Sequence, residues 1–271
     1  MKNIELFKDI MSDVEKHFLK NESTYIILKD YEYIREVITL YAKQHNLVES
    51  TLLLLENNNN EEAMILARSV LNNYFLIGYL LNDPDRSHIK EYQAQPLISQ
   101  LYYWKNVKEI LNGQFGQDLE NSGKQLIFTE EDVDNKIAFF EQKIKNAGFQ
   151  TNKRPLRIID LAKSADNRGF ELYSTFYAYA SKYEHSDIST LDIYKQKILD
   201  DHSNNEVFTL DMNRTDDKLK ESVLTIITTA YAQSLSKLID EITVKQSHLK
   251  SQFDEKKLVL LMGKLLRFIN A

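Results

Sequence analysis

The sequence predicts an all-α protein, a single multi-helix bundle of about eight to ten helices. Three observations carry that expectation. In 271 residues there are only 7 Gly and 3 Pro, too few breakers for an architecture that must turn every ten residues or so. Apolar residues recur at three- and four-residue intervals along most of the chain, the period of a helix face, while alternating strand-like runs are nearly absent. Helix-start signals also stand where such helices would begin, the clearest being Thr129 followed by Asp132.

A first helix is expected from Asn3 to Leu19, a second from Thr24 to His45, and a short one through Leu52 to Leu55. The run Asn57 to Asn60 breaks the pattern. Asn60 before Glu61 and Glu62 reads as a cap, because an Asn side chain can take a free backbone N–H and acids suit the positive end of the helix dipole. From Ala63 to Asn82 the chain is apolar around nearly its whole circumference. That length would span a bilayer, but Arg68, Asn72 and Asn73 in its middle would be costly in hydrocarbon. The expectation is therefore a central bundle helix and no membrane partner. Pro84 permits a new helix through Tyr92, Trp104 and Ile110, with a kink at Pro96.

Residues 112–126 hold Gly113, Gly116 and Gly123 with little periodicity and read as an exposed loop. Thr129 and Asp132 then form a capping box, Phe128 and Val133 a hydrophobic staple, and Gly148 a left-handed stop. Pro155 opens a short helix through Leu161, and another covers Phe170 to His185. A polar stretch, Asp200 to Asn205, precedes a short extended piece from Val207 to Met212. Thr215 or Asp216 caps a long helix with the stripe Leu219, Val223, Ile226, Ala230, Ser234 and Leu238. A leucine-rich helix follows near Asp254 to Ile269, its stripe Leu258, Leu261, Leu265 and Phe268 serving either a dimer contact or the core.

The absence of cysteine removes disulfides, thiolate nucleophiles and Cys-ligated metals. It points to a reducing compartment, and the acid-bearing N-terminus lacks the apolar run of a signal peptide, so a cytoplasmic location is expected. A net charge of −6 excludes a generally basic nucleic-acid coat. There is no phosphate-binding glycine loop, no dinucleotide fingerprint and no HExxH pair, and the six histidines lie far apart. No cofactor and no metal site are indicated.

Two constellations stand out. Arg68 is the only charged residue between Ala63 and Asn82, with Asn72 one turn on along the same face. Either it is a structural guanidinium clamped to an acid on a neighbouring helix, or it is an anion ligand in a cleft. On the Phe170 to His185 helix, regular α geometry places Ser174, Ser181 and His185 within about 40° of one another and Tyr177 about 60° to one side. A histidine there can move protons near neutral pH. Between Lys143 and Arg168 stand seven bases, among them Lys153, Arg154, Arg157 and Arg168, against Asp160 and Asp166. That local excess reads as either a solvated face or a phosphate-backbone contact.

The segments Ala67-Arg-Ser-Val-Leu-Asn-Asn-Tyr-Phe-Leu-Ile-Gly-Tyr-Leu-Leu-Asn-Asp83 and Tyr177-Ala-Tyr-Ala-Ser-Lys-Tyr-Glu-His185 resemble a bacterial and phage family of unknown function. In it an alanine-arginine-serine helix pairs with a tyrosine-serine-histidine helix. The resemblance covers about residues 50–240, leaving N-terminal helices at 1–49 and a C-terminal helix at 253–271 of one domain. An acid would be expected where Asn72 stands. More distantly the chain looks like the HEPN bundles, many of them dimeric, metal-independent endoribonucleases of defence and toxin systems, although the arginine they carry four to six residues before a histidine has no counterpart before His185. The resemblance implies RNA as substrate, a homodimer, His185 as proton-transfer group, Arg68 as charge stabiliser and Tyr177 and Ser181 as phosphate-orienting groups, with Lys153, Arg154, Arg157, Arg168 and Asn72 holding the strand. The rival reading is a non-catalytic protein-interaction module or a sensor of a small anion.

Overall fold

The fold is that of a computed structural model, which describes residues 2–19, 24–122, 128–198, 207–245 and 252–269. It is all-α apart from one short hairpin, and the chain divides into two compact units, one formed by residues 1–84 and 158–271 and the other by residues 85–157.

The first unit is organised around α3 (Asn60–Leu81). Its apolar circumference is explained by its neighbours: it packs against α2 (Glu32–Glu56), α7 (Ile158–Ala165), α9 (Ala178–Glu184) and α11 (Asp217–Asp240). Helix α3 is long and apolar enough to cross a membrane, but 61% of its most apolar stretch is buried inside this fold. Its start is tied to that of α11 by a buried carboxylate: Glu61 accepts from the Thr215 hydroxyl at 2.7 Å and the Asp216 N–H at 2.9 Å. Asp216 in turn caps α11 through the Lys218 N–H. The expected stripe on α11, Leu219 to Leu238, is buried throughout.

Several boundaries differ from the sequence expectation for identifiable reasons. Helix α1 (Lys2–Val14) ends in a π turn at Glu15–Leu19. The two helices expected between 24 and 55 are one, α2, which begins only at Glu32 after an extended stretch and a 3-10 turn at Lys29–Tyr31. Asn58 takes the left-handed conformation that breaks α2 from α3, with φ of 58°. Asn60 is not the cap; it lies inside α3, and its amide donates across to the Asp216 carbonyl at 3.2 Å. The leucine stripe of α12 (Glu255–Ile269) is core: Leu258, Leu261 and Leu265 are buried, and Phe268 stacks on Phe7 of α1 at 5.4 Å. After the short α10 (Ile188–Leu191), the expected extended piece is β2 (Val207–Leu210), paired antiparallel with an unexpected β1 (Lys195–Ile198), Lys195 opposite Leu210. The polar stretch from Asp200 to Asn205 lies outside the described residues.

The second unit holds α4 (Ser87–Asn112), continuous through Pro96, with α5 (Gln114–Asn121) and α6 (Glu130–Asn146). Ala94, Ile98 and Leu101 of α4 and Ile144 of α6 form its core with Ile137, Phe140 and Phe149. The loop expected at 112–126 is corrected here: Gly113 and Gly116 sit at and within the start of a helix, while Gly123 lies outside the described residues. The capping box is present, the Thr129 hydroxyl accepting from the Asp132 N–H at 3.1 Å and the Asp132 carboxylate accepting from the Thr129 N–H at 3.0 Å. Gly148 ends α6 with φ of 83°.

At Gly78, α3 approaches the end of α7 closely. A Cβ there would lie 2.5 Å from the Ala165 Cβ and 3.0 Å from the Lys237 ammonium. That ammonium is already held by Asp166 at 2.6 Å and lies over the Tyr74 ring. Gly78→Ala should therefore destabilise the protein by about 1–3 kcal/mol, because two packed helices must separate. Urea unfolding checks this; a variant as stable as the parent would show that the contact has slack.

Candidate functional site

The site grows from one problem of helix α3. Arg68 is surrounded along its helix by Ala67, Val70 and Leu71, all fully buried, so its guanidinium needs partners in place of water. They come from the segment 167–184. Asp166 caps α8 (Asn167–Leu172) through the Gly169 N–H, and the helix continues through a π turn at Tyr173–Tyr177 into α9.

The π turn decides which side chains meet Arg68. It holds one more residue than an α turn, so it offsets the residues before it from those after it by roughly 100°. Ser174 thus leaves the face it would share with Ser181 in a regular helix: it is exposed, and its hydroxyl bonds back to the Phe170 carbonyl at 3.0 Å. Within α9 and the residue before it, Tyr177, Ser181 and Glu184 follow at four and three residues and share one face.

All three engage Arg68. Its Nε donates to the Ser181 hydroxyl at 3.0 Å, an Nη1 ion pair joins it to Glu184, and the guanidinium lies 4.7 Å above the Tyr177 ring. Ser181 is itself anchored, donating to the Tyr177 carbonyl at 2.9 Å. Tyr177 is backed by Phe75 of α3 and stacks on Tyr173, centroids 5.1 Å apart. Burial pushes its hydroxyl above the ordinary tyrosine value despite the opposing effect of Arg68. It therefore remains a protonated phenol at neutral pH and is no base. Asn72 joins the cluster, although its Oδ1 is buried without a hydrogen bond.

His185 stands just past the end of α9, in the cap position, and its Nε2 lies 3.6 Å from the same Glu184 oxygen that pairs with Arg68. The cluster is graded toward solvent: the side chains of Arg68, Glu184 and His185 are 16%, 37% and 70% exposed. The guanidinium and imidazole thus converge on one carboxylate from inside and outside. Chemically this sets a cation and an exposed imidazole against one carboxylate, with no group of described residues suited to hold a metal ion.

Of the predicted residues, Arg68, Asn72, Tyr177, Ser181 and His185 are brought together. The basic segment is divided between the two units. Arg168 pairs with Glu171 in the first unit at 2.8 Å, while Lys153, Arg154 and Arg157 belong to the second, where Lys153 pairs with Glu91 at 2.8 Å. Glu184 was missed by the sequence reading. Its signal was present, an acid adjacent to His185 and seven residues after Tyr177, but its partner is 116 positions away.

Because Arg68 is mostly buried, Glu184→Gln should cost about 1–3 kcal/mol by leaving the guanidinium facing a neutral acceptor. His185→Ala, a solvent-exposed change, should cost less than about 0.5 kcal/mol. Denaturant unfolding of both variants checks the contrast, and equal losses would contradict the graded arrangement.

No curated protein and no solved structure matches the chain. One family model does, over residues 36–207, a stretch that contains Arg68, Asn72, Tyr177, Ser181, Glu184 and His185. The chain therefore belongs to a family of unknown function, DUF5677.

Proposed function

We propose that the Arg68 cluster is a metal-independent site for cleaving RNA phosphodiester bonds, in a protein that acts as a dimeric, HEPN-like component of a cytoplasmic phage-defence or toxin system. The observation that carries the chemistry is the convergence of Arg68 and His185 on one oxygen of Glu184 at the protein surface. Internal cleavage of RNA needs three things: a group to take the 2′-hydroxyl proton, one to give a proton to the leaving 5′-oxygen, and a cation for the charge on the pentacoordinate phosphorus.

Glu184 takes the 2′ proton as the 2′-oxygen attacks phosphorus. The bond to the 5′-oxygen breaks, and His185 in its imidazolium form supplies the proton that oxygen needs. The products are a 2′,3′-cyclic phosphate and a 5′-hydroxyl, and solvent returns the proton from Glu184 to His185. Arg68 has five N–H donors, of which Nε serves Ser181 and one serves Glu184, leaving others for a phosphate oxygen. Tyr177 and Ser181 position the guanidinium rather than touch phosphate, since Tyr177 is buried and Ser181 is already bonded on both sides.

A second reading is favoured by the same ion pair: Arg68 as a structural clamp between α3 and α9 in a non-catalytic interaction module. The two readings part on RNA. Purified protein incubated with total RNA in EDTA should cleave it, and His185→Ala should lower the rate by about 100-fold or more while the fold stays intact. Equal cleavage by the parent and His185→Ala would overturn the catalytic assignment, and absence of cleavage by both would leave the clamp as the function of Arg68.

A further inference from the structure

Helix α12 carries apolar residues on two faces, and the core covers only one of them. Leu258, Leu261 and Leu265 are buried, whereas Val259, Leu260 and Leu266 are 60%, 64% and 50% exposed. One apolar stripe is enough to dock a surface helix, so a second one, turned to water, calls for a partner of its own.

The exposed face has an order. Glu255, Val259, Gly263 and Arg267 follow at intervals of four and form one ridge along the helix. The ridge is notched at Gly263, where a Cβ would meet nothing within 4 Å. Glycine inside a helix costs about 1 kcal/mol relative to alanine. At Gly78 that cost has a reason within the chain, because Ala165 presses against it; at Gly263 nothing among the described residues does.

The ridge is complementary to itself when reversed. Its centre is position 261, and each member has its counterpart at the same distance on the other side: the acid Glu255 matches the base Arg267, and the branched Val259 matches the hollow at Gly263. Glu255 and Arg267 are both exposed. Two other bases of the helix are engaged within the chain, Lys257 with Asp254 at 3.5 Å and Lys264 with Asp13 of α1. Arg267 makes no ion pair with the described residues, so the charge at that end of the ridge is unmet.

We propose that the exposed face of α12 is a homodimer surface, on which a second copy of this chain lays its own α12 antiparallel across a two-fold axis at position 261. Four-residue ridges packed side by side cross at about 50°. Val259 of each copy enters the hollow over the partner's Gly263, Glu255 and Arg267 meet at both ends, and Leu260 and Leu266 close the flanks. A parallel pairing is excluded by charge, since it sets Glu255 on Glu255 and Arg267 on Arg267. The contact is the same patch on both copies and therefore closes at two. This inference gives a surface to the dimer of the proposed function and rests on that element alone; α12 lies outside residues 36–207 and shares no residue with the Arg68 cluster.

Sedimentation equilibrium of the full chain from about 1 to 300 µM should show a monomer–dimer equilibrium with a Kd of about 10–100 µM, as befits a contact of one helix pair. Gly263→Leu fills the notch and should weaken the dimer about tenfold or more, while the melting temperature of the monomer holds or rises, because the new side chain meets nothing and leucine is the better helix former. Arg267→Glu should weaken the dimer as well, and adding Glu255→Arg should bring the Kd back to within about threefold of the parent, which requires that each residue face the other across the axis. A dimer indifferent to Gly263→Leu, or one that the charge exchange fails to restore, would overturn this surface and leave the dimer itself standing. A parent that is monomeric across the whole range would overturn both the surface and the dimer, with RNA cleavage still judged separately through His185→Ala.

Discussion

A guanidinium inside the most buried helix of the protein is the constraint on which the rest of the candidate site depends. Helix α3 is enclosed by α2, α7, α9 and α11, so the charge on its one arginine must be met by a neighbour. Arg68 cannot lose its charge and cannot be left bare at such depth without a cost of several kcal/mol. The partner segment therefore has to arrive with an acid, a hydroxyl and an aromatic face at the right height, which is what Glu184, Ser181 and Tyr177 supply. Arginine suits the position because its planar fork can address several partners at once, while its face rests on a ring.

Polar stitches of the same kind appear wherever α3 meets another element. At its start Glu61 accepts from the N-terminal turn of α11, and toward its end the Lys237 and Asp166 pair lies against Tyr74 and Gly78. Burial pushes the Tyr74 and Tyr183 hydroxyls well above the tyrosine range, so these phenols stay protonated as hydrogen-bonding groups. A central helix of Leu, Ile and Phe alone could slide or rotate against its neighbours with small changes in burial. Buried donors and acceptors with single partners allow one register only.

Legibility followed the range of the interactions. The capping box at Thr129 and Asp132, the stop at Gly148 and the buried stripe of α11 were readable because each is set by residues within a few positions or by one period. Failures came where local signals compete. Residues 114–121 have glycine on both sides and inside, yet form a helix, and the gap expected between 45 and 52 vanished because α2 is held by packing along its length. Asn60 looked like a cap by composition, but the turn placed the break at Asn58 and left Asn60 to bond across to Asp216.

By itself the sequence determined the helical class, the central place of α3 and the singularity of Arg68, because scarcity of breakers, hydrophobic period and an isolated arginine are properties of the chain read locally; that its segment meets Tyr177 to His185 was implied only by the resemblance. Only the tertiary structure decided that Glu184 joins Arg68 to His185, since that acid lies 116 positions from its partner and was brought onto its face by a π turn no periodicity announces. It likewise separated the basic run between the two units and turned the C-terminal leucine stripe into core. Local free energies choose helix or turn, whereas the identity of a buried charge's partner is settled by which surfaces close over it.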